Sequence, residues 1–576
     1  MSGGREPRAR VRSRPMIPSA ALPERGTRPA PFRGANVVPL LLFLLGLLPP
    51  STARGQVPST APETADGAGA IIDTVIISRQ DVFPEEAAAE NFLYRLGNGL
   101  HGTTQPWVIR RELLLEPGVP YDSLLAAESE RNLRSLGLFR RVRVDSTRVD
   151  GRLALSVRSR DAWSLQPRIT GRLAADGTLT GTFGLTEVNL AGSGNAMRVW
   201  YVRETDRDGM DLRLTSNRVA STRLAANATW LNLSDRDVVA WRLSNPFRSL
   251  SDRSAFYYEG RNFRGRIPQY VRHDPDSLQT VEWRRRAQIH RLTGAVAPIA
   301  SPREFLRIGA TFEVRHEEHL RLGPGVDPDS LDAAVPDSVY GLIGVYAEWR
   351  QARFERVQRF NGFSEEDQDL SDRVFVSVKL AHESLGYRST GIGTRLLVSS
   401  GTRSGAAILK GMLDGGGLFN SAGLDSGYVF GTGTAAVRET ERNTTFLQAS
   451  AGVQESPRPG SEHDIGFQLL PRLWGPHAFV GTRTVRATLE HRSYLVDNFH
   501  NLFGLGVGAF VDYGGAWYPD QDSRLGGNIG VTVFGGSPLS SFAQVTNLNV
   551  GYRFGGGIGD SRRSRWAFSA GGGLRF

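Results

Sequence analysis

The feature that most constrains this chain is an alternation of apolar and polar residues, which is clearest in its last segment, residues 566–576. The residues between the apolar positions are polar or very small. A repeat of two residues is that of a β-strand, whose successive side chains point to opposite faces. The segment therefore predicts an amphipathic strand, which fits a soluble sheet and also the closing strand of a membrane barrel with lipid outside and water inside. The members of the apolar set are Trp566, Phe568, Ala570, Gly572, Leu574 and Phe576.

The same alternation recurs from residue 161 onward, and its polar members are often charged. Because a soluble sandwich shows the same period, alternation alone leaves both folds open. About 415 residues at roughly 26 per strand, loops included, allow about sixteen strands, which lies within the even-numbered range of membrane barrels. The expected fold class is an all-β transmembrane barrel of about sixteen antiparallel strands over residues 161–576. Three polar stretches are expected to be loops, namely residues 266–286, 323–338 and 363–373.

The N-terminal 55 residues carry most of the net charge and read as an export signal. The chain has a net charge of +10, and residues 1–55 hold nine Arg and two Glu, or +7, which leaves +3 (10 − 7) for the rest. The body of the chain therefore gives no indication of nucleic-acid binding. The apolar run 37–48 follows a basic leader, is typical of a signal peptide and is too short for a membrane span. Residues 56–69 are rich in Pro, Ala and Thr and are expected to be a linker.

Residues 70–160 carry helix and strand signals in an order that predicts a small α+β domain. Side chains suited to helix capping precede apolar runs, and Gly or Pro residues follow them. An Asp-Gly pair between the last two strands predicts a tight turn. The expected elements are a strand at 71–78, a helix at 85–96, two helices capped by Thr104 and Asp122, and strands at 139–145 and 152–160.

Several positions of this region match a known domain, namely Arg110-Arg111-Glu112-Leu113, Pro117-Gly118, Leu133, Leu136-Gly137-Leu138-Phe139 and Val142. At these positions the region resembles a POTRA domain, the periplasmic module of the BamA/TamA superfamily of outer-membrane proteins. One such domain fits between residues 70 and 160. The resemblance implies that the α+β domain lies in the periplasm and that the strands after it form an outer-membrane β-barrel.

Three motifs further along the chain resemble the barrel of the same superfamily and occur in the family's order. The first has an acidic residue, Asn-Leu and a Gly-x-Gly turn, the second is a Phe-x-Asp-x-Gly strand, and the third resembles the loop that folds back into the barrel. They are residues 184–194 (GLTEVNLAGSG), residues 510–514 (FVDYG), and Leu473-Trp474-Gly475 with Phe479, Gly481, Arg483, Glu490 and Arg492.

The resemblance implies an ion pair between a loop arginine and Asp512 inside the barrel. The chain departs from the family here, because Trp474 stands at the arginine position and Pro476 at the aromatic one. Arg472 and Arg483 are the two candidates for the partner of Asp512. The remaining interior charges are expected to pair with one another rather than to act in acid–base catalysis. The expected interior site comprises Asp512, Arg472, Arg483, Gly475, Glu490 and Arg492.

The sequence predicts no catalytic, metal or cofactor site. The absence of Cys excludes a disulfide scaffold, a thiolate metal site and a Cys nucleophile. Residues 316–319 (HEEH) lack the spacing of a helical zinc motif, and the acidic run 365–369 lacks the Gly and spacing of a calcium loop, so a solvated loop is expected there. Glycines at alternate positions of 504–508 suit a strand and not a phosphate loop, because no helix follows.

The resemblance implies a factor that inserts other β-barrels into the bacterial outer membrane. The alternatives are a pore that exports one dedicated protein, and a porin or receptor. The implied partners are outer-membrane lipids, unfolded outer-membrane or secreted proteins and periplasmic accessory proteins. If the first barrel strand, near residues 163–171, pairs poorly with the last, a lateral gate would open there, and Gly571-Gly572-Gly573 marks its expected loosest point. The residues of this seam and terminal signal are Trp566, Phe568, Gly572, Leu574 and Phe576.

Overall fold

The structure divides into two units near residue 161, where the sequence pattern changes. In the computed structural model an α+β domain precedes a β-barrel. The predicted signal peptide and almost all of the predicted linker lie outside the described residues. The structure describes residues 69–173, 179–204, 207–220, 222–274, 277–322, 338–385, 390–457, 460–466, 470–499, 503–539, 545–558, 564–572 and 576.

The N-terminal domain is a three-stranded sheet with order β1-β3-β2, in which β1 runs parallel and β2 antiparallel to β3. Its core is formed by buried aliphatic residues such as Ile109, Leu133 and Val157. As predicted, Asp122 caps a helix, because its carboxylate accepts hydrogen bonds from the amides of Leu124 and Leu125. The elements are β1 (Thr74–Gln80), α1 (Glu85–Glu90), α2 (Phe92–Leu100), α3 (Pro106–Arg110), α4 (Ser123–Ser135), β2 (Phe139–Val149) and β3 (Arg152–Asp161). None of the helices in the described ranges has the length and apolar character needed to cross a membrane.

The second unit is a closed antiparallel barrel of 20 strands, in which strands adjacent in sequence are neighbours in space. Two further hairpins, β14-β15 and β21-β22, are inserted between barrel strands. The bounds are β4 (Leu165–Leu173), β5 (Leu179–Glu187), β6 (Asn195–Arg203), β7 (Asp208–Ser216), β8 (Ala225–Leu233), β9 (Arg236–Asn245), β10 (Ser254–Asp274), β11 (Ser277–Ala300), β12 (Glu304–Leu322), β13 (Ser338–Gln351), β14 (Phe354–Gln358), β15 (Glu365–Asp369), β16 (Asp372–Ala381), β17 (Gly391–Ser404), β18 (Ala407–Asn420), β19 (Gly423–Arg438), β20 (Asn443–Glu455), β21 (His463–Ile465), β22 (Phe479–Gly481), β23 (Arg483–Phe499), β24 (Phe503–Trp517), β25 (Gly526–Gly536), β26 (Thr546–Gly555) and β27 (Trp566–Gly572).

The prediction of about sixteen strands was wrong. The 408 residues from 165 to 572 (572 − 165 + 1) hold 20 strands, or about 20 residues per strand in place of the 26 assumed. Much of the polar stretch 266–286 is strand and not loop, because β10 and β11 pair with each other almost to their tips at Asp274 and Ser277. Of the other two expected loops, residues 323–337 lie outside the described residues, and 363–373 contains β15 and the start of β16.

The two faces of the barrel wall decide between a membrane barrel and a soluble sandwich. Apolar side chains alternate outward and are exposed, as in β25, where Ile529 and Val531 are 53% and 58% accessible. The side chains on either side of them, Asn528 and Thr532, are buried and polar. A soluble fold would bury its apolar face, so this inside-out pattern fits a barrel surrounded by lipid.

The chain direction divides the barrel into two ends. Strand β4 begins beside the N-terminal domain, so the turns 188–194, 217–224 and 246–253 and the segment 352–371 lie at that end, here called the domain-side end. The loop 456–482 between β20 and β23 leaves from the opposite, far end. The β14-β15 hairpin therefore belongs to the domain side and the β21-β22 hairpin to the far side.

Candidate functional site

Arg472 is the partner of Asp512. It lies in the loop 456–482, here called the inward loop, and its guanidinium makes a two-pronged contact with the carboxylate of Asp512 on β24. The Nε–Oδ2 and Nη2–Oδ1 distances are both 2.9 Å, and the backbone amide of Arg472 donates to Oδ2 at 3.1 Å. Two parallel charge-assisted hydrogen bonds fix both the position and the orientation of the loop.

Neutral and charged neighbours complete this contact. Thr488 Oγ1 donates to Asp512 Oδ1 at 2.7 Å, and Asn528 Nδ2 donates to Oδ2 at 2.8 Å. Arg472 Nη1 also lies 2.7 Å from Glu490 Oε2, and Glu490 accepts from Arg492 Nε at 2.6 Å. Two arginines and two carboxylates thus balance in charge at a position where all four side chains are buried. A charge left without its partner here would be costly, because buried ions require compensation.

Trp474 occupies the family's arginine position without taking over the arginine's contact. Its indole is buried, packs edge-on against Phe479 at 5.0 Å and donates from Nε1 to the carbonyl of Gly527 at 3.1 Å. The backbone of Gly475 runs close to Gly466, because a Cβ added to Gly466 would lie 2.0 Å from the carbonyl oxygen of Gly475. The second arginine candidate, Arg483, is the first residue of β23 and pairs in register with Trp517, five positions from the β24 residue Asp512. The structure therefore does not bring Arg483 to the site.

Among the residues that the structure describes, the first and last barrel strands share fewer registered pairs than any other two neighbouring strands of the wall. Strands β4 and β27 share one registered pair, Ala570 with Gly171, among the residues described there. By contrast, β27 has seven registered pairs with β26, and β4 has nine with β5. Trp566 and Phe568 point outward and are 66% and 50% accessible, as the alternation predicts. Within the described parts of β4 and β27, most backbone groups on the edges that face each other therefore have no registered partner.

Phe576 does not lie on the outer face with Trp566, in contrast to the alternation. Strand β27 ends at Gly572, and Leu574 lies outside the described residues. Phe576 is 6% accessible, stacks on the inward-facing Phe446 at a centroid distance of 4.3 Å, and its amide donates to Asn361 Oδ1 at 2.7 Å. The outward alternation of β27 therefore does not extend to Phe576, because an apolar cluster inside the barrel accommodates the terminal ring.

That cluster belongs to a hairpin that sequence reasoning missed. The plug hairpin, residues 354–369, consists of β14, β15 and their turn. It places Val357 and Phe360 against Phe446 and Phe576 inside the domain-side end of the barrel, and Tyr494 Oη donates to the carbonyl of Phe360 at 3.1 Å. Its second strand is the acidic run that was expected to be a solvated loop. The four carboxylates within five residues hid a strand whose outer edge pairs with arginines of other elements.

Ion pairs tie the plug hairpin to the N-terminal domain. Arg134 of α4 donates from Nε and Nη2 to the two carboxylate oxygens of Asp367 at 2.9 and 3.0 Å. Arg356 of β14 pairs in return with Glu130 of α4. One continuous set of contacts thus joins the N-terminal domain, the plug hairpin and the C-terminus of the chain.

Other contacts dock the domain on the turns of the barrel. Thr104 is predicted to cap a helix, but the N-cap residue is Gln105. The Thr104 hydroxyl instead donates to Asp161 at 2.9 Å and accepts from Asn189 at 2.8 Å. Asn189 belongs to the 184–194 motif, so that motif forms a turn that docks on the domain. On neighbouring turns, Arg218 donates to Glu112 at 2.8 Å, and Leu250 N donates to Glu128, whose pKa is raised by burial.

A Ser, His and Asp also meet at this junction. His101 Nδ1 lies 3.0 Å from Ser164 Oγ, and His101 Nε2 lies 3.0 Å from Asp161 Oδ2. All three are buried, and Asp161 Oδ2 also accepts from the amide and hydroxyl of Thr104. The arrangement joins the domain to Ser164, the residue directly before β4. Within the described ranges no group of three or more His, Asp or Glu side chains could hold a metal ion, and the expectation that the chain is not an enzyme stays a prediction.

Phe576→Ala is expected to lower the free energy of unfolding by about 3 kcal/mol or more, because it empties a buried aromatic site. Phe568→Ala is the matched control, since it removes the same ring from the exposed outer face of β27. Denaturant unfolding in detergent, with band shift on unboiled gels as the probe of folding, measures both. Equal destabilisation by the two variants would contradict an interior anchoring role for Phe576.

Asp367→Asn is expected to weaken the attachment of the plug hairpin by about 2 kcal/mol, the value of hydrogen bonds to charged groups. Amide hydrogen exchange in residues 354–369 should rise accordingly, while exchange in the barrel strands stays unchanged. Asp369→Asn is the control, since Asp369 pairs with Arg350 at a more exposed site. Unaltered exchange in the plug hairpin of Asp367→Asn would show that the ion pair between Arg134 and Asp367 does not hold the hairpin.

Comparison with known proteins gives one sequence match. No family model matches the chain. Outer membrane protein assembly factor BamA of Neorickettsia risticii is 28% identical over 127 residues, or 22% of this chain. The match spans 17% of the length of that relative. It confirms the resemblance to the BamA/TamA superfamily that the motifs indicated.

Solved structures of low sequence identity also align with the chain. CdiB from Escherichia coli aligns with a TM-score of 0.41 and 10% identity over 90% of this chain and 92% of its own. BamA from Haemophilus ducreyi lacking POTRA domains 1–3 aligns with a TM-score of 0.35 and 10% identity over 87% and 85%.

Proposed function

We propose that this protein inserts other β-barrels into the outer membrane of a bacterium by strand templating at the seam between β4 and β27. The observation that carries this proposal is that the described parts of β4 and β27 share a single registered pair, Ala570 with Gly171, whereas the other neighbouring strands of the wall share seven or more. Unpaired N–H and C=O groups in a strand edge form a template for another strand. Such groups have no water to bind within the hydrocarbon layer, so an incoming strand that pairs with them is favoured.

In this proposal the substrate enters sideways and the lumen stays closed. The inward loop occupies the barrel through Arg472, and the plug hairpin occupies the domain-side end through Val357 and Phe360. Both are fixed by buried contacts, which favours a route at the seam over a route through the pore. Export of a dedicated partner protein requires both obstacles to move and is the alternative.

The remaining parts of the proposal concern place and partners. The exposed apolar outer face suits lipid, and the N-terminal domain, at the end where β4 begins, would then lie in the periplasm as a POTRA domain. Strands β1 and β2 are the edges of its sheet and could each receive an extended substrate segment. Outer-membrane lipids, unfolded barrel proteins and periplasmic accessory proteins are the proposed partners.

Depletion of this protein in its native host tests the proposed assembly function. Quantitative proteomics of the outer membrane should show a fall in many barrel proteins if the protein is an assembly factor. Loss of a single secreted protein, with the membrane barrels unchanged, would establish export and overturn assembly. Normal levels of both, together with altered uptake of small solutes, would indicate a porin.

A further inference from the structure

A chamber opens inside the barrel along the wall formed by β7–β12. Its volume is about 780 Å³. Hydroxyl and amide side chains, including Thr229, Asn227 and Ser244, line one side of it. One carboxylate, Glu259, reaches the lining. The arginines that line it are Arg213, Arg242, Arg261, Arg285, Arg291 and Arg315.

Four of these arginines form ion pairs with three carboxylates, which offsets three of their four charges. Glu259 accepts from Arg242 at 2.6 Å and lies 3.5 Å from Arg291. Glu313 and Glu317, which stand beside the chamber on β12, take up the rest. They pair with Arg291 and Arg315, and with Arg285 and Arg315, respectively.

Arg213 and Arg261 form no ion pair with a described carboxylate, although Asp211 and Glu317 act on them from a longer distance. Within the part of the chain that the structure describes, no carboxylate lies within 4.0 Å of either guanidinium. Arg198, in register with Arg213 on the next strand, already pairs with Asp211 at 2.5 Å. Six guanidiniums against three carboxylates leave the chamber with a charge of +3 (6 − 3).

The strand register places the unpaired arginines at one level of the wall. Arg213 is opposite Thr229, Thr229 is opposite Ala240, and Ala240 is opposite Arg261. Continuing the row, Arg261 is opposite Ile289 and Ile289 is opposite Arg315. Thr229 and Ala240 are small, which leaves room for a ligand between two guanidiniums that are three strand spacings, or about 14 Å of backbone, apart.

We propose that this chamber is a binding site for a small, water-soluble anion that carries two or more phosphate groups. The guanidinium fork matches phosphate oxygens in geometry and charge, and a ligand with two phosphates can engage arginines from both ends of the row. Strands β7–β12 are paired with one another at the level of the chamber, which closes this wall to lipid and makes a soluble ligand the occupant. The site is on a different part of the wall from the seam, so it stands whether or not the assembly function does.

Titration calorimetry of the detergent-solubilised full chain with inorganic pyrophosphate tests the proposal. The wild type should bind one pyrophosphate, more weakly as the NaCl concentration rises. Arg213→Gln/Arg261→Gln should weaken binding at least tenfold, and Arg213→Gln alone at least threefold. The matched control, Arg264→Gln/Arg266→Gln, removes the same two charges from residues of β10 that alternate to the other side of the strand and should bind as the wild type does.

Two results would overturn the site. One is the absence of pyrophosphate binding by the wild type, and the other is an equal loss of affinity in the control pair, which would show a response to overall charge. Each variant is first checked for the band shift of a folded barrel on an unboiled gel. If the double variant does not fold, the single variant and the salt dependence decide.

Discussion

A protein carrying Gly171→Cys and Ala570→Cys is expected to lose at least nine tenths of its barrel-assembly activity when oxidised and to regain it when reduced. The two positions are directly opposite in the only registered pair found between β4 and β27 in the described segments. Opposed Cα atoms of antiparallel strands lie about 4.5–5.5 Å apart, within the range that a disulfide spans. A covalent link there prevents the edges from separating, so an incoming strand has no template. The rate at which a barrel substrate folds in proteoliposomes measures the activity.

A second cysteine pair controls for the disulfide itself. Val531→Cys with Val550→Cys joins β25 and β26 at a registered outward-facing pair in a fully bonded part of the wall. Since the natural chain has no cysteine, each variant has one possible crosslink. Oxidation of this control should leave the folding rate unchanged. Undiminished activity in the oxidised seam variant would show that the seam need not open.

Asp512→Ala is expected to lower the free energy of unfolding by about 3–5 kcal/mol, the cost of removing one partner from a buried ion pair. It leaves the Arg472 guanidinium buried with one of its two carboxylates and removes the acceptor for Thr488 and Asn528. The inward loop should detach, so proteases should cut within 456–482, while the barrel still inserts and shifts on gels. Assembly activity should fall with the loss of the loop's position.

Two further variants separate the contribution of the Arg472–Asp512 ion pair from other effects of the substitution. The double variant Arg472→Met/Asp512→Ala removes both charges of the pair and leaves no buried charge without a partner. It should therefore be destabilised by less than the sum of the effects of Arg472→Met and Asp512→Ala. Asp414→Ala, which breaks the more exposed pair with Arg395, should cost about 1 kcal/mol or less. Full activity and an uncut loop in Asp512→Ala would mean that the apolar contacts of Trp474 hold the loop without the ion pair.

The sequence predicted the features that depend on local pattern. Alternation identified the outward row of Trp566 and Phe568, and the capping pattern identified Asp122. The family motif pointed to Asp512 and, among two candidates, to Arg472. These features are encoded within a few residues, or within a motif, and need no knowledge of the distant chain.

Features that depend on contacts between distant segments could not be predicted from the sequence. The number of strands follows from loop lengths, which composition does not fix. The acidic run 365–369 reads as solvated until Arg134, more than 200 positions away, supplies its partner. Phe576 follows the outward pattern of β27 in sequence, yet a cluster around Phe446 and Phe360 buries it inside. The arginine row of the chamber likewise emerges only when the register aligns β7 with β10.

Crosslinking of a substrate to the strand edge tests the central claim most directly. Gly171→Cys in β4 would be paired with single cysteines placed at successive positions along the last strand of an unfolded barrel substrate, and the mixed disulfides counted during assembly. Templating predicts crosslinks confined to a narrow window of substrate positions. Arg213→Cys, inside the lumen, should give almost none. Crosslinks to the lumen position in place of Gly171→Cys, or an even spread along the substrate strand, would contradict assembly at the seam.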